Sequence, residues 1–236
     1  MIDWKRRCET LQQELISLVH SVSHDLRAPL RAADGFSRVL LTRHAAELDP
    51  QALDYLQRIR AATSLMGSHI DALARLARVT TAEMRPARVD LAACARSAAD
   101  DLRDNEPERQ VEVRIADGLE VEGDPALLRS LMQNLVSNAW KFTSKHPGAT
   151  IEVGRQTGDE PAFFVRDTGA GFDMAFARHL FEPFGRLHPE GDYPGVGIGL
   201  ALCRRIVNRH GGRLWAEAAP DKGATFWFTI GQLEIE

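Results

Sequence analysis

Apolar residues near the start of the chain recur at Leu11, Leu15, Leu18 and Val22, in alternating steps of four and three. That spacing predicts one long amphipathic helix over about 4–43 with a coiled-coil seam. The stripe resumes at Ala33, Phe36 and Leu40, past Pro29, whose missing N–H predicts a local kink. A loop over 43–50 follows, in which Asp49 and Pro50 read as the N-cap and first residue of a second helix. Leu56, Ile59, Thr63, Met66, Ile70, Leu73 and Ala77 carry the three–four alternation to about Val79. Two such helices joined by a short loop predict an antiparallel hairpin. A lone hairpin leaves a wide apolar face in water, and pairing into a dimeric four-helix bundle is the simplest remedy.

The pattern then changes. Residues 80–88 contain Pro86 and no periodicity, which predicts a helical hairpin over 1–82, a connector over 83–88 and a second domain over 89–236. Asp90 reads as the cap of a helix reaching about Asn105, and Val111, Val113 and Ile115 alternate as a strand. Asp124-Pro125 opens a helix that runs to about Phe142. Strands are expected over 150–155, 162–166, 214–217 and 225–230, and a helix over 199–210 ended by Gly211-Gly212. The fold class is α+β: a long hairpin followed by an α/β sandwich. Between Asp167 and Gly199 the chain is rich in Gly and Pro, with one short helix expected near 174–180. A long loop of that kind in a compact domain signals function.

Composition narrows the classes. With 236 residues, 44% hydrophobic and 26% charged, the chain is globular rather than disordered or low-complexity. A net charge of -4 argues against a sequence-blind nucleic-acid binder. The apolar runs fall short of the ~20 residues of a membrane span, so no membrane insertion is expected. Cys8, Cys94 and Cys203 are far apart and odd in number. They make neither a zinc site nor a disulfide framework, and a reducing, cytoplasmic setting is expected.

Four stretches carry chemistry. In Ser-His-Asp-Leu-Arg-Ala-Pro-Leu (23–30), Val22 and Asp25 fall on the seam, so His24 sits beside it, facing water. A neutral imidazole is a good nucleophile if one nitrogen keeps its proton and is held, which the adjacent Asp25 carboxylate can do. A surface histidine beside a helical aspartate is the plainer reading. On the helix after Pro125, Asn134, Asn138 and Lys141 share a face, away from the core stripe of Leu131, Leu135 and Ala139. Amide oxygens suit a hard cation and an ammonium suits phosphate. Asp167, Gly169 and Gly171 follow an apolar strand, where a carboxylate can accept the exocyclic amine of adenine. Gly195, Gly197, Gly199 and Leu200 open a helix, a place where backbone N–H groups meet phosphates. Between these last two, Phe181-Glu-Pro-Phe184-Gly-Arg186 supplies aromatic anchors and an arginine within reach of phosphate; Gly223-Ala-Thr225-Phe226 turns into the last strand.

Taken one at a time these stretches are ambiguous, but in this order and spacing they resemble the catalytic core of bacterial two-component sensor histidine kinases. Residues 23–30 resemble the H box, 134–142 the N box, 167–171 and 195–199 two glycine boxes, 181–184 the F box and 223–226 the last glycine-rich motif. The wording is similar to kinases attached to PAS or phytochrome sensors. The resemblance implies a dimerisation and histidine-phosphotransfer hairpin and an ATP-binding domain of the GHKL type shared with gyrase, MutL and a heat-shock chaperone. It implies His24 as phosphoacceptor and Asp25 as its proton acceptor. Asn138 becomes the Mg²⁺ ligand, supported by Asn134, with Lys141 and Arg186 on phosphate and Asp167 on adenine. Gly169, Gly171, Gly195, Gly197, Gly199, Leu200 and Thr225 complete the implied ATP site. The implied cofactors are ATP and Mg²⁺. The implied partners are a response-regulator receiver domain, a second copy of the chain and an upstream sensor domain or protein, with no nucleic acid. Ala28 departs from the Thr or Asn of many relatives, and Val196 and Gly185 depart from polar residues. The rival expectation is a non-enzymatic dimeric phosphotransfer or scaffold protein with a degenerate ATP site.

Overall fold

The computed structural model describes residues 4–81, 83–158, 160–187, 192–193 and 195–231; the side chains at 4–6, 8–9, 11–12, 15 and 20 lie outside the description. The chain divides into two compact units, Met1–Thr81 and Ala82–Glu236. Among the described residues no helix is long and apolar enough to cross a membrane.

The first unit is a hairpin of α1 (Trp4–Arg43) and α2 (Pro50–Thr81), joined through a 3₁₀ turn at Ala45–Glu47. Asp49 starts α2 as its pattern predicts, Oδ1 accepting from Ala52 N at 2.7 Å. Helix α1 continues through Pro29, which offers no N–H to the Asp25 carbonyl four residues back. The expected seam splits in two. Thr63 and Ile70 are buried within the hairpin, at 7% exposure each, whereas Ile59, Met66 and Leu73, seven residues apart, face outward at 46%, 46% and 36%. On α1, Leu18, Val22, Phe36 and Leu40 are likewise exposed, while the small Ser23 and Ser37 are buried. The side chains of Leu11 and Leu15 lie outside the described ones. Arg27 reaches Asp71 at 2.8 Å and Arg60 reaches Asp34 at 3.0 Å, tying the two helices at the surface.

The second unit is a two-layer sandwich. Strands β2 (Glu112–Ile115), β4 (Thr150–Gln156), β5 (Ala162–Asp167), β6 (Leu214–Ala218) and β7 (Ala224–Phe228) form a sheet in the order β2-β4-β5-β7-β6, with β2 and β4 parallel and the rest antiparallel. A second sheet pairs β1 (Ala87–Asp90) with β3 (Glu120–Gly123). The connector expected over 83–88 therefore gives up Ala87 and Arg88 to a strand. Helices α3 (Leu91–Asn105), α4 (Pro125–Phe142) and α5 (Gly199–Arg209) supply the other layer, α4 packing against both of the others and against β5. Asp90 caps α3 and Asp124 caps α4. Leu128, Leu131, Leu135 and Val136 of α4 are fully buried beside Ile151 and Val165 of the sheet. This core fixes the rotation of α4 and with it the direction of the polar face beside the apolar one. Behind the cap of α4, the fully buried His210 accepts from Asp124 N at 3.0 Å and meets the Ile206 carbonyl at 2.8 Å through Nδ1.

Candidate functional site

Two sets of groups stand out, one in each unit. On α1, burial of Ser23 turns the next residue outward, and the His24 side chain is 79% exposed. Its Nδ1 lies 3.3 Å from Asp25 Oδ1. When Nδ1 carries the proton it donates to that carboxylate, and Nε2 presents its lone pair. Ala28, one turn on, is also exposed.

In the second unit, Leu131, Leu135 and Ala139 point into the core and Asn134, Asn138 and Lys141 are half-buried on the adjoining face. Asn134 Nδ2 donates to Ser130 O at 2.7 Å, which leaves Oδ1 as its outward group. Helix α5 begins against this face: a Cβ added to Gly199 would lie 2.9 Å from Asn134 Oδ1 and 3.8 Å from Asn138 Nδ2. Ile198, the N-cap of α5, supplies no side-chain cap, and the first N–H groups of the helix are left for another acceptor. Leu200 in the same turn is buried. Burial, with the Arg186 charge nearby, pushes the Lys141 ammonium down to about 8. The start of α5, the Asn134 and Asn138 amides and the Lys141 ammonium come together on one face, donors and charge of the kind a phosphate-type anion takes.

Asp167 ends β5 at 3% exposure. It accepts from Gly169 N at 2.8 Å and from the Ala224 N–H, yet burial outweighs both and raises its carboxyl to about 6. The loop after it docks on the end of α4: Ala170 N donates to Phe142 O at 3.1 Å, and a Cβ on Gly169 would come within 2.4 Å of that oxygen. Gly171, at φ +55, turns the loop against Ala219. The Asp167 carboxylate and the polar face of α4 are thus joined through Phe142.

The loop before α5 is braced by Arg186. Its two arms donate to Gly195 O at 2.8 Å and Tyr193 O at 3.2 Å, so the side chain expected on phosphate holds loop carbonyls instead. The Gly195 backbone runs beside Lys141 Nζ, and Gly197 packs on the backbone of Phe184 and Gly185. The Tyr193 ring meets Phe142 tilted at 57° with centroids 5.0 Å apart, and Asp192 pairs with Lys145 at 2.6 Å.

Thr225 requires a correction. It is the cross-strand partner of Arg166, whose Nε donates to its hydroxyl at 3.2 Å, while Asp167 pairs with Ala224. Successive residues of a strand point to opposite faces, so Thr225 faces away from Asp167. Ala224, which pairs with Asp167 and donates to it, is the residue that sequence reasoning missed here. Only the pairing register reveals it.

A family model described as "His Kinase A (phospho-acceptor) domain" matches residues 14–82, and one described as "Histidine kinase-, DNA gyrase B-, and HSP90-like ATPase" matches residues 123–233. The phytochrome-like protein Cph1 of Synechocystis sp. is 32% identical over 226 residues, 95% of this chain and 30% of that protein. The adaptive-response sensory kinase SasA of Synechococcus sp. is 30% identical over 213 residues, 88% of this chain and 56% of that protein. The chain thus spans under a third of the phytochrome relative's length. Among solved structures, full-length ShkA in complex with AMPPNP is similar at a TM-score of 0.63 and 26% identity, covering 90% of this chain and 45% of that one. The mycobacterial sensor histidine kinase MprB is similar at a TM-score of 0.52 and 25% identity, covering 62% of this chain and 97% of that one.

Proposed function

This chain belongs to the sensor histidine kinases and carries their catalytic core, and from that premise we propose that it transfers the γ-phosphoryl group of ATP to its own His24 and passes it to an aspartate of a response-regulator receiver domain. The observation that carries the reading is His24 itself: an exposed imidazole whose Nδ1 meets a carboxylate, leaving Nε2 as the nucleophile. In the second unit, Asp167 accepts the adenine amine, while Lys141 and the first N–H groups of α5 receive the triphosphate. The described residues hold no group of three or more His, Cys, Asp or Glu fit to cage a metal. The amide oxygens fit Mg²⁺, which takes few protein ligands and completes its shell with water and phosphate. Asn138, supported by Asn134, would hold that ion, which supplies charge neutralisation on the triphosphate when bound.

In the transfer step, the Nε2 lone pair forms a bond to the γ-phosphorus as the bond from that phosphorus to the bridging oxygen breaks. ADP leaves with the electron pair. The Nδ1 proton passes to Asp25, which keeps the phosphorylated ring neutral. The outward stripe of Ile59, Met66 and Leu73 supports a homodimer, and an upstream sensor domain or protein in a cytoplasmic setting completes the reading.

Incubation with γ-labelled ATP tests it. The wild type takes up an acid-labile label, and His24→Ala takes up none while still binding ATP with a dissociation constant within about twofold, because the nucleotide groups lie in the other unit. Label persisting on His24→Ala would remove the assignment. A wild type that binds no nucleotide would favour the scaffold alternative.

A further inference from the structure

Arg109 lies outside every motif of the sequence, in the segment between α3 and β2, and its side chain is only 16% exposed. Its guanidinium stacks over the Trp140 ring, 4.7 Å from the centroid. Nη2 donates both to the Trp140 carbonyl and to Thr143 Oγ1, the latter at 2.8 Å, and Nη1 meets Glu106 at 3.4 Å. Thr143 is 1% exposed, and its hydroxyl in turn donates to the Ala139 and Trp140 carbonyls at 2.8 and 2.9 Å.

These contacts converge on the last turn of α4, where helix carbonyls run out of internal partners and carry the negative end of the helix dipole. Ser144 N caps the Lys141 carbonyl at 3.2 Å and Ala170 N caps that of Phe142 at 3.1 Å. The Trp140 carbonyl is the one gripped by a charged group from a distant part of the chain. That carbonyl and the Lys141 N–H belong to one rigid peptide plane. Holding the first fixes the backbone from which the Lys141 side chain projects; Nη2 bridges that carbonyl and the Thr143 hydroxyl while Nη1 is held by Glu106, which sets the plane of the guanidinium.

We propose that Arg109 is a positioning residue for the nucleotide site, acting through the Trp140–Lys141 peptide to aim the Lys141 ammonium at the triphosphate. The proposal rests on the reading of this face as an ATP site. Without Arg109 the last turn frays, and ordering it again is charged to binding.

The test is a double-mutant cycle on ATP affinity, read by calorimetric titration of the full chain with Mg²⁺ present. Arg109→Ala weakens ATP binding by about tenfold, the scale of one lost charged hydrogen bond. In a Lys141→Met background, which has no ammonium left to aim, Arg109→Ala costs less than about twofold, because only residues acting as a unit are non-additive. An equal loss in both backgrounds means that Arg109 serves the fold alone and overturns the proposal, as does no loss in either. Should Arg109→Ala fail to fold, the cycle is run with Arg109→Lys. That variant keeps a cation over the helix end, but its reach is one bond shorter than that of Nη2 and it has no second arm for Glu106, and the same coupling is expected. A wild type that binds no ATP refutes the ATP-site reading itself, an outcome distinct from loss of the coupling.

Discussion

Asp167 and Lys141 are both held in the less polar environment that their charges disfavour, and each sets a limb of a pH profile. An ordinary aspartate ionises near 3.8, and burial raises Asp167 to about 6. Between these values the folded state holds a proton that the unfolded chain has lost, so stability falls as pH rises from about 4 to about 6 and stays lower above. Asp167→Asn removes that burden, and its melting temperature at pH 7 is expected to rise by the equivalent of about 1–3 kcal/mol. Its affinity for adenosine, a probe without a titrating phosphate, is expected to fall. In the wild type, adenosine binding tightens from pH 5 to 7 as the carboxylate forms; in Asp167→Asn it is flat. A gain in stability joined to a loss of binding separates a functional carboxylate from a structural one. Lys141 governs the opposite limb. With its ammonium near 8, ATP binding weakens as pH rises from 7 to 9. Lys141→Arg, which stays charged, removes that slope. A wild-type titration with no alkaline slope would take Lys141 off the phosphate.

At the scale of elements, the site is a joint between the end of α4 and the loop after β5, and Gly169 is its tightest point. The obstacle to a side chain there is space: a Cβ would stand 2.4 Å from Phe142 O and 2.9 Å from Asp167 Oδ1. Gly169→Ala is expected to push the loop off α4, cost about 1–3 kcal/mol of stability as an overpacked contact, and lower adenosine and ATP affinity together. Loss of ATP binding with adenosine spared would place the damage elsewhere. How much of this joint was legible follows from how local each signal is. Asp90, Asp124 with Pro125, and Gly211 announce helix ends within a few residues, and all three helices of the second unit fall where those signals set them. Strands β1 and β3 gave no such signal. Each has four residues and one inward valine, Val89 or Val121, too short for an alternation, and they meet through Arg88 and Glu120 across 32 residues of chain. Thr225 and Ala224 were distinguishable only by register, since a shift of one residue exchanges the faces of a strand. Arg109 was invisible because its partners lie 31 and 34 residues away.

At the scale of the molecule, the hairpin seam decides the assembly. The three–four pattern on α2 serves two sides: Thr63 and Ile70 close on α1, while Ile59, Met66 and Leu73 remain outside with Leu18, Val22, Phe36 and Leu40 of α1. Apolar side chains exposed on both helices of a hairpin, repeating every seven residues on α2, make the surface a second hairpin covers. The two halves of the seam therefore differ in what a charge does to them. Met66→Glu with Leu73→Glu puts two carboxylates into the face between copies, where unpaired charge is expensive. The double variant is expected to sediment as a monomer where the wild type sediments as a dimer. Its ATP affinity should be retained, because the nucleotide groups belong to the second unit. Ile70→Glu puts its charge between α1 and α2 of the same chain, and is expected to lower helix content by circular dichroism along with any change in mass. Loss of helix content equal to that of Ile70→Glu in the Met66–Leu73 pair, or a wild type that sediments as a monomer, would mean that the outward stripe does not form the contact between copies.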